Sequence, residues 1–343
     1  MYVPASCCIP WLVVFGIECL IVVILNAITI IVFVKQRQKH RKNSMVTNTS
    51  NIASHCIPWL FVYGIECLAV VFLNAIAIIV FVKQRQLQRK STYLIIHLAM
   101  VDFFVGAVTG PLRIYSLGSW YCDLWEFVWP DSTWFNIIIY AIGYNSYQIS
   151  LLNLAFISLE RAHATFRPFK HRFVKTWVYG VMITVTWLVP VVMIGTLFGL
   201  SKLFRVCVLY FFLYFVILLF VIFVSYVSIY IKVRRGRLPQ HHGAARLRER
   251  KLTSTLFLVT FGSLFTFLPV VLYLGVGLFK PKLSSNFHIT YVRTIVAFFL
   301  LNSFINPIIY AIRMPELRAG ILQIIFRRVP HRSNGVNIPL QDR

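Results

Sequence analysis

The chain has 343 residues, 59% of them apolar and only 13% charged, with a mean hydropathy of +0.76 and a formal net charge of +24. A water-soluble domain cannot hide that much apolar surface, whereas lipid solvates it, so a large soluble helical protein is excluded. The 34 Lys and Arg gather between apolar stretches, which marks membrane topology and contact with anionic lipid rather than a nucleic-acid-binding face.

A helix needs about 20 mostly apolar residues to cross the hydrocarbon. Eight stretches qualify: Ile9–Val34, Ile57–Val82, Leu94–Leu112, Trp134–Leu159, Trp177–Leu200, Val206–Val233, Leu252–Phe279 and Tyr291–Ile312. The expected fold class is an all-α integral membrane bundle of seven helices plus one extra amino-terminal hydrophobic helix.

That extra helix comes from a repeat. Residues 8–38 match residues 56–86 at an offset of 48, with 26 of 31 positions identical. The two copies conflict in topology. Each ends in a basic run (Lys35–Lys42 and Lys83–Lys90), so each prefers its amino end outside. The connector between them is too polar to re-cross the membrane. It also holds Asn48-Thr49-Ser50, a glycosylation acceptor that works only on the outer side. A start at or near Met45 removes the conflict. The expected division is therefore a duplicated segment over 1–44, an outer tail over 45–56, a membrane domain over 57–313, and a short amphipathic helix with its tail over 314–343.

Further basic clusters at Arg161–Lys175, Lys232–Lys251 and Arg313–Arg343 place the carboxyl end of the last seven stretches inside. Polar residues within the spans are informative, because such groups are costly in lipid and face the bundle interior. The third stretch carries Asp102. The fourth carries Asn136, Asn145, Ser146, Gln148, Ser150 and Asn153, too many for a lipid-facing helix, so it belongs at the centre. The last carries Asn302, Ser303 and Asn306. Pro111, Pro190, Pro269 and Pro307 lie inside spans, where each removes a helix hydrogen bond and permits a kink.

Read in order, these residues resemble the rhodopsin-like (family A) G protein-coupled receptors over about residues 57–318. Leu98-Ala99-Met100-Val101-Asp102 resembles the family's L-A-x-x-D, and Glu160-Arg161-Ala162 its D/E-R-Y. Trp187 matches the tryptophan of the fourth span and Tyr226 the tyrosine of the fifth. Phe267-Leu268-Pro269 looks like a variant of C-W-x-P, and Asn306-Pro307-Ile308-Ile309-Tyr310 is a full N-P-x-x-Y. Departures are Ala162 for tyrosine, Leu218 for the fifth-span proline, Phe267 for the switch tryptophan and Ser263 for the phenylalanine one turn earlier.

The resemblance implies a plasma-membrane receptor, with no enzymatic activity, that binds an extracellular ligand and activates a heterotrimeric G protein. It assigns coupling and switching to Glu160, Arg161, Tyr226, Glu249, Asn306, Pro307, Tyr310, Phe267 and Pro269, with Arg161 expected to pair with Glu249 at rest. It implies a buried sodium site at Asp102, Ser150, Asn302 and Ser303, and no other cofactor. Motif offsets place an apolar ligand pocket without fixed charge at Gly143, Tyr144, Tyr147, Phe267, Val270, Val271, Val296 and Leu300. They also imply a Cys122–Cys207 disulfide, although Cys122 lies 39 residues before Arg161, farther than the family's spacing of about 25, so a long outer loop over about 118–131 is expected. Gly143 stands where amine receptors carry an Asp, and Leu300 where opsins carry a lysine. A peptide or a small neutral ligand is the expected class. A non-signalling receptor is the alternative. A transporter would need a polar path or a multi-span repeat, and a membrane enzyme a cluster of carboxylates or His at depth.

Overall fold

The computed structural model describes residues 49–84, 90, 92–120, 122, 124, 133–199, 204–235, 244–279 and 285–326, with only the backbone over 49–55, 120, 133–138, 140, 197–199, 204, 233–235, 244–260, 285–289, 313, 315–316 and 324–326. The first copy of the repeat, and with it the expected extra helix, lies outside the described residues, as do Asn48 and the tail past residue 326.

Every described element is helical. Helix α1 spans Thr49–Lys83. The next span runs as α2 (Thr92–Phe104), a π-helical turn (Val105–Thr109) and α3 (Gly110–Trp120). Then follow α4 (Thr133–Phe166), the short α5 (Pro168–Arg172), α6 (Thr176–Gly199), α7 (Phe204–Arg235), α8 (Ala244–Phe279), α9 (Ser285–Arg313) and α10 (Pro315–Phe326). Among the described residues six segments are long and apolar enough to cross a membrane: Cys56–Lys83, Thr92–Ser119, Thr176–Thr196, Arg205–Lys232, Phe261–Phe279 and Thr290–Ile312. The seventh span, α4, is not among them because of its amides and hydroxyls. At 34 residues it is about 51 Å long, ample for a crossing.

Helix α1 starts at Thr49, eight residues before the apolar stretch expected to open it. Hydropathy marks where lipid begins, but a helix continues into water, so part of the expected tail over 45–56 is helical. Likewise α3 runs to Trp120, into the loop expected from residue 118.

The bundle closes in a ring: α1 packs on α2 and α9, α9 on α8, α8 on α7, and α7 on α4. Helix α4 also contacts α2, α6 and α8 and so forms the hub. That position explains its composition. Gln148, Ser150 and Asn153 are fully buried and so kept from lipid, and Asn153 finds its partners, His97 and the Leu94 carbonyl, on α2. The outer faces of α6 and α7 instead expose apolar residues such as Trp177, Leu188, Ile217, Phe220 and Phe223, as a lipid-facing surface requires. Gly106 lets the π-helical turn approach α1: a Cβ there would lie 2.8 Å from Val70 Cγ1 and 2.9 Å from the Cys67 carbonyl oxygen.

Candidate functional site

The site is a column of three layers along α4: an outer cavity, a polar layer at mid-depth and an ion cluster at the inner end.

The outer cavity has a volume of about 230 Å³ and lies between α3, α4, α7, α8 and α9. Of the residues expected to line it, Tyr144, Tyr147, Val270 and Val296 do so. Gly143, Phe267, Val271 and Leu300 do not. Phe267 and Leu300 are buried in the core below, with the Phe267 ring centred 6.1 Å from that of Phe215. The expectation of a pocket without fixed charge is also corrected, because Arg113 of α3 lines the wall. Its guanidinium carbon lies 5.6 Å from the centroid of the Tyr144 ring. It occupies the space left by Gly143, where a Cβ would lie 2.6 Å from Arg113 Cζ. Offsets from family motifs could not find Arg113, since no motif contains it. Its signal was a lone cation two residues beyond Pro111 in an apolar stretch.

At mid-depth Asp102 is fully buried. Ser303 Oγ donates to its Oδ1 (2.8 Å) and Asn306 Nδ2 to its Oδ2 (2.7 Å). Asn74 Nδ2 donates to the carbonyl oxygens of Ser303 (3.1 Å) and Val70 (2.9 Å), tying α1 to α9. Asn302 faces α8 instead, accepting at Oδ1 from Thr266 Oγ1 (3.0 Å). Ser150 Oγ, Asn302 Nδ2 and the Tyr310 hydroxyl are buried without a hydrogen-bond partner among the described residues. The Tyr310 ring stands edge-on to Phe81 at 6.2 Å. Pro307 and Pro269 lie inside α9 and α8, and Tyr226 is buried on α7.

Beside this layer His97 links three helices. It accepts from Trp187 Nε1 at Nε2 (2.9 Å), so its proton sits on Nδ1, which donates to Asn153 Oδ1 (3.1 Å). His97 thus joins α2 to α4 and α6.

At the inner end Arg161 turns both Nε and Nη2 onto Glu160 Oε2. His171 Nε2 of α5 lies 2.7 Å from Glu160 Oε1, and the Tyr179 hydroxyl donates to the same oxygen at 3.4 Å. Burial opposes ionisation of Glu160, but the His171 hydrogen bond and the Arg161 charge outweigh it and hold the carboxyl below its ordinary range. The expected partner of Arg161, Glu249, has its side chain outside the described residues. The carboxylate described against Arg161 is its own neighbour. Helix α5 can form there because Pro168 opens it, its fixed φ suiting the first helical position.

On the outer side the structure corrects the expected disulfide: Cys122 pairs with Cys56, not Cys207, with Cα atoms 5.9 Å apart. Helix α1 runs alongside α3, bringing its outer end to the turn after Trp120, whereas α7, which carries Cys207, packs principally on α4 and α8. Asn136 stands 25 residues before Arg161, where the family's disulfide cysteine belongs. Arg293 Nη2 approaches Cys56 Sγ at 2.7 Å, and the Tyr63 hydroxyl donates to the Arg293 carbonyl at 2.8 Å, so α9 joins the same outer clasp.

A ring of seven spans with a buried carboxylate, an N-P-x-x-Y segment against it and an Arg at the inner end of the hub defines a class of membrane protein. The chain matches the family described as "7 transmembrane receptor (rhodopsin family)" over residues 73–208 and 200–310. It belongs to that family and is a multi-pass membrane protein. No curated protein compared with it matches the chain.

Proposed function

We propose that the chain is a plasma-membrane receptor that binds an extracellular ligand in the outer cavity and activates a heterotrimeric G protein at its inner face. The observation that carries this reading is the continuity of α4. Tyr144 and Tyr147 meet the cavity, and Glu160 and Arg161 close the inner end of the same helix. The two sites are about 20 Å apart along the axis, with the polar layer between them.

A ligand shifts the resting and active forms only by its differential affinity for them. Phe215 and Val270 line the cavity, and Phe267 packs beneath Phe215, so filling the cavity bears on α8 near Pro269. Movement of α8 and α9 would rearrange the Asn302–Thr266 and Asn306–Asp102 bonds. At the inner end Arg161, once off Glu160, is free for the G protein. A small monovalent cation suits a single carboxylate with neutral oxygens, and Asp102, Ser303 and the unpartnered Ser150 Oγ offer those groups, while Asn302 Oδ1 is taken up by Thr266. Sodium there would act as a modulator. Of the ligand classes expected from the sequence, a small neutral molecule brings no cation against Arg113, nor does the carboxyl end of a peptide, whereas an amine does.

The reading is tested by expressing the full chain and screening ligands with second-messenger readouts for the principal G protein classes. Ligand-dependent signalling lost in Arg161→Ala supports it. Surface-expressed protein that binds ligand and drives no pathway supports a non-signalling receptor instead.

A further inference from the structure

The outer cavity holds a charge that its wall does not answer. Among the described lining residues Arg113 alone is charged. Its Nε is buried without a hydrogen-bond partner, and the carboxylate ion pairs of the described residues lie at the inner face, on Glu160.

Two adjacent residues of α4 hold the guanidinium in place. Gly143 leaves the space: a Cβ would lie 2.6 Å from Arg113 Cζ and 2.7 Å from its Nε, so no larger residue fits without moving the cation. Tyr144 presents its ring 5.6 Å from the same carbon. Arg113 lines the cavity from this position, and a guanidinium's planar donor fork matches a carboxylate in two parallel hydrogen bonds. A half-buried guanidinium whose Nε is buried without a partner gains from a counter-ion, so the cavity favours an occupant that brings one. The rest of the wall is apolar and aromatic, with Tyr147, Phe215, Val270 and Val296 facing the same space. Its 230 Å³ falls short of the ~300–1,000 Å³ of sites for drug-sized ligands, so it suits a small molecule or the end of a longer one.

We propose that the cavity binds an anionic amphiphile, with one carboxylate on Arg113 and a compact aromatic or aliphatic body against Tyr147, Phe215, Val270 and Val296. The proposal rests on the receptor reading and narrows it: a peptide enters by its carboxyl end, and an uncharged molecule leaves the guanidinium unanswered. Asp123, Glu126 and Asp131 lie outside the described residues. A loop carboxylate seated on Arg113 would close the site to added acids, and the test detects that case.

The test measures thermal stability of the purified full chain with 3-phenylpropionate, indole-3-acetate or decanoate, each compared with its primary amide. The expected result is that at least one acid raises the melting temperature and its amide does not. Arg113→Gln then weakens that acid's binding at least about tenfold, as does Gly143→Leu, which displaces the guanidinium. Equal shifts by acid and amide, an acid effect that survives Arg113→Gln, or no shift by any acid each overturn the proposal. Binding is read here without a G protein. Failure of nucleotide exchange therefore sinks the receptor reading alone, and failure of acid binding sinks only this assignment.

Discussion

Arg161 makes its ion pair with Glu160, the residue beside it in the chain, and both side chains are buried. A cation clamped by its own neighbour is held without help from a distant helix, and the same carboxylate also receives His171 and Tyr179. Glu160 thus joins the inner ends of α4, α5 and α6. Removing one partner of a buried pair leaves the other uncompensated. Glu160→Gln is therefore expected to raise basal signalling about 5- to 30-fold, a shift of about 1–2 kcal/mol in the resting equilibrium. His171→Ala should raise it less. Ligand-free second-messenger levels at matched surface expression check both.

The depressed pKa of Glu160 fixes the sign of its pH response. A carboxyl held below its ordinary value contributes fully above that value and loses its contribution only as pH falls through the depressed one. Acidifying the inner face from about pH 8 to about pH 6 stays above the ordinary range for Glu. Basal signalling of permeabilised membranes should therefore not rise over that interval through protonation of Glu160.

The outer clasp predicts which cysteines behave alike. Cys56→Ser and Cys122→Ser should each lower thermal stability by several degrees, and the double variant should be no worse than either, because both remove one bond. Cys207→Ser should retain the Cys56–Cys122 linkage in non-reducing peptide mapping. These variants belong in a chain lacking residues 1–44, because Cys8 is the repeat's counterpart of Cys56.

At mid-depth, Asn306→Ala removes a donor from Asp102, and Trp187→Phe removes the donor to His97 Nε2. Each leaves a buried acceptor short of a partner, which costs about 1–3 kcal/mol. Both should lower the melting temperature of the purified protein, and Asn306→Ala should in addition change the response to ligand.

The repeat carries its own prediction. We propose that the working receptor begins at or near Met45. A chain starting there should reach the surface and signal as the full chain does, and Asn48→Gln should abolish its glycosidase shift. Amino-terminal sequencing of surface protein reports which start is used.

What the sequence disclosed followed the physics of each signal. Six of the seven described spans were legible because lipid imposes a long apolar run on each, and α4 could be placed at the centre because Ser150, Gln148 and Asn153 are too polar for lipid. Asp102 beside Asn306 was approached through motifs whose order carries information. Partners were not legible. Cys56 sits inside the repeated Cys-Ile-Pro-Trp and read as part of a span copy, so its pairing with Cys122 depended on how α1 lies along α3. Arg113 belongs to no motif, and its place over Gly143 needs two helices at their true separation. The partners of His97 lie 56 and 90 residues away in the chain, beyond the reach of any local pattern.

The central claim is that the inner end of α4 activates a G protein through Arg161. The most direct measurement is guanine-nucleotide exchange by the purified full chain carrying Glu160→Gln, reconstituted in lipid with heterotrimers of each principal class. The expected result is accelerated exchange on at least one class, abolished when Arg161→Ala is added. No acceleration on any class, or acceleration that persists without Arg161, would contradict the claim.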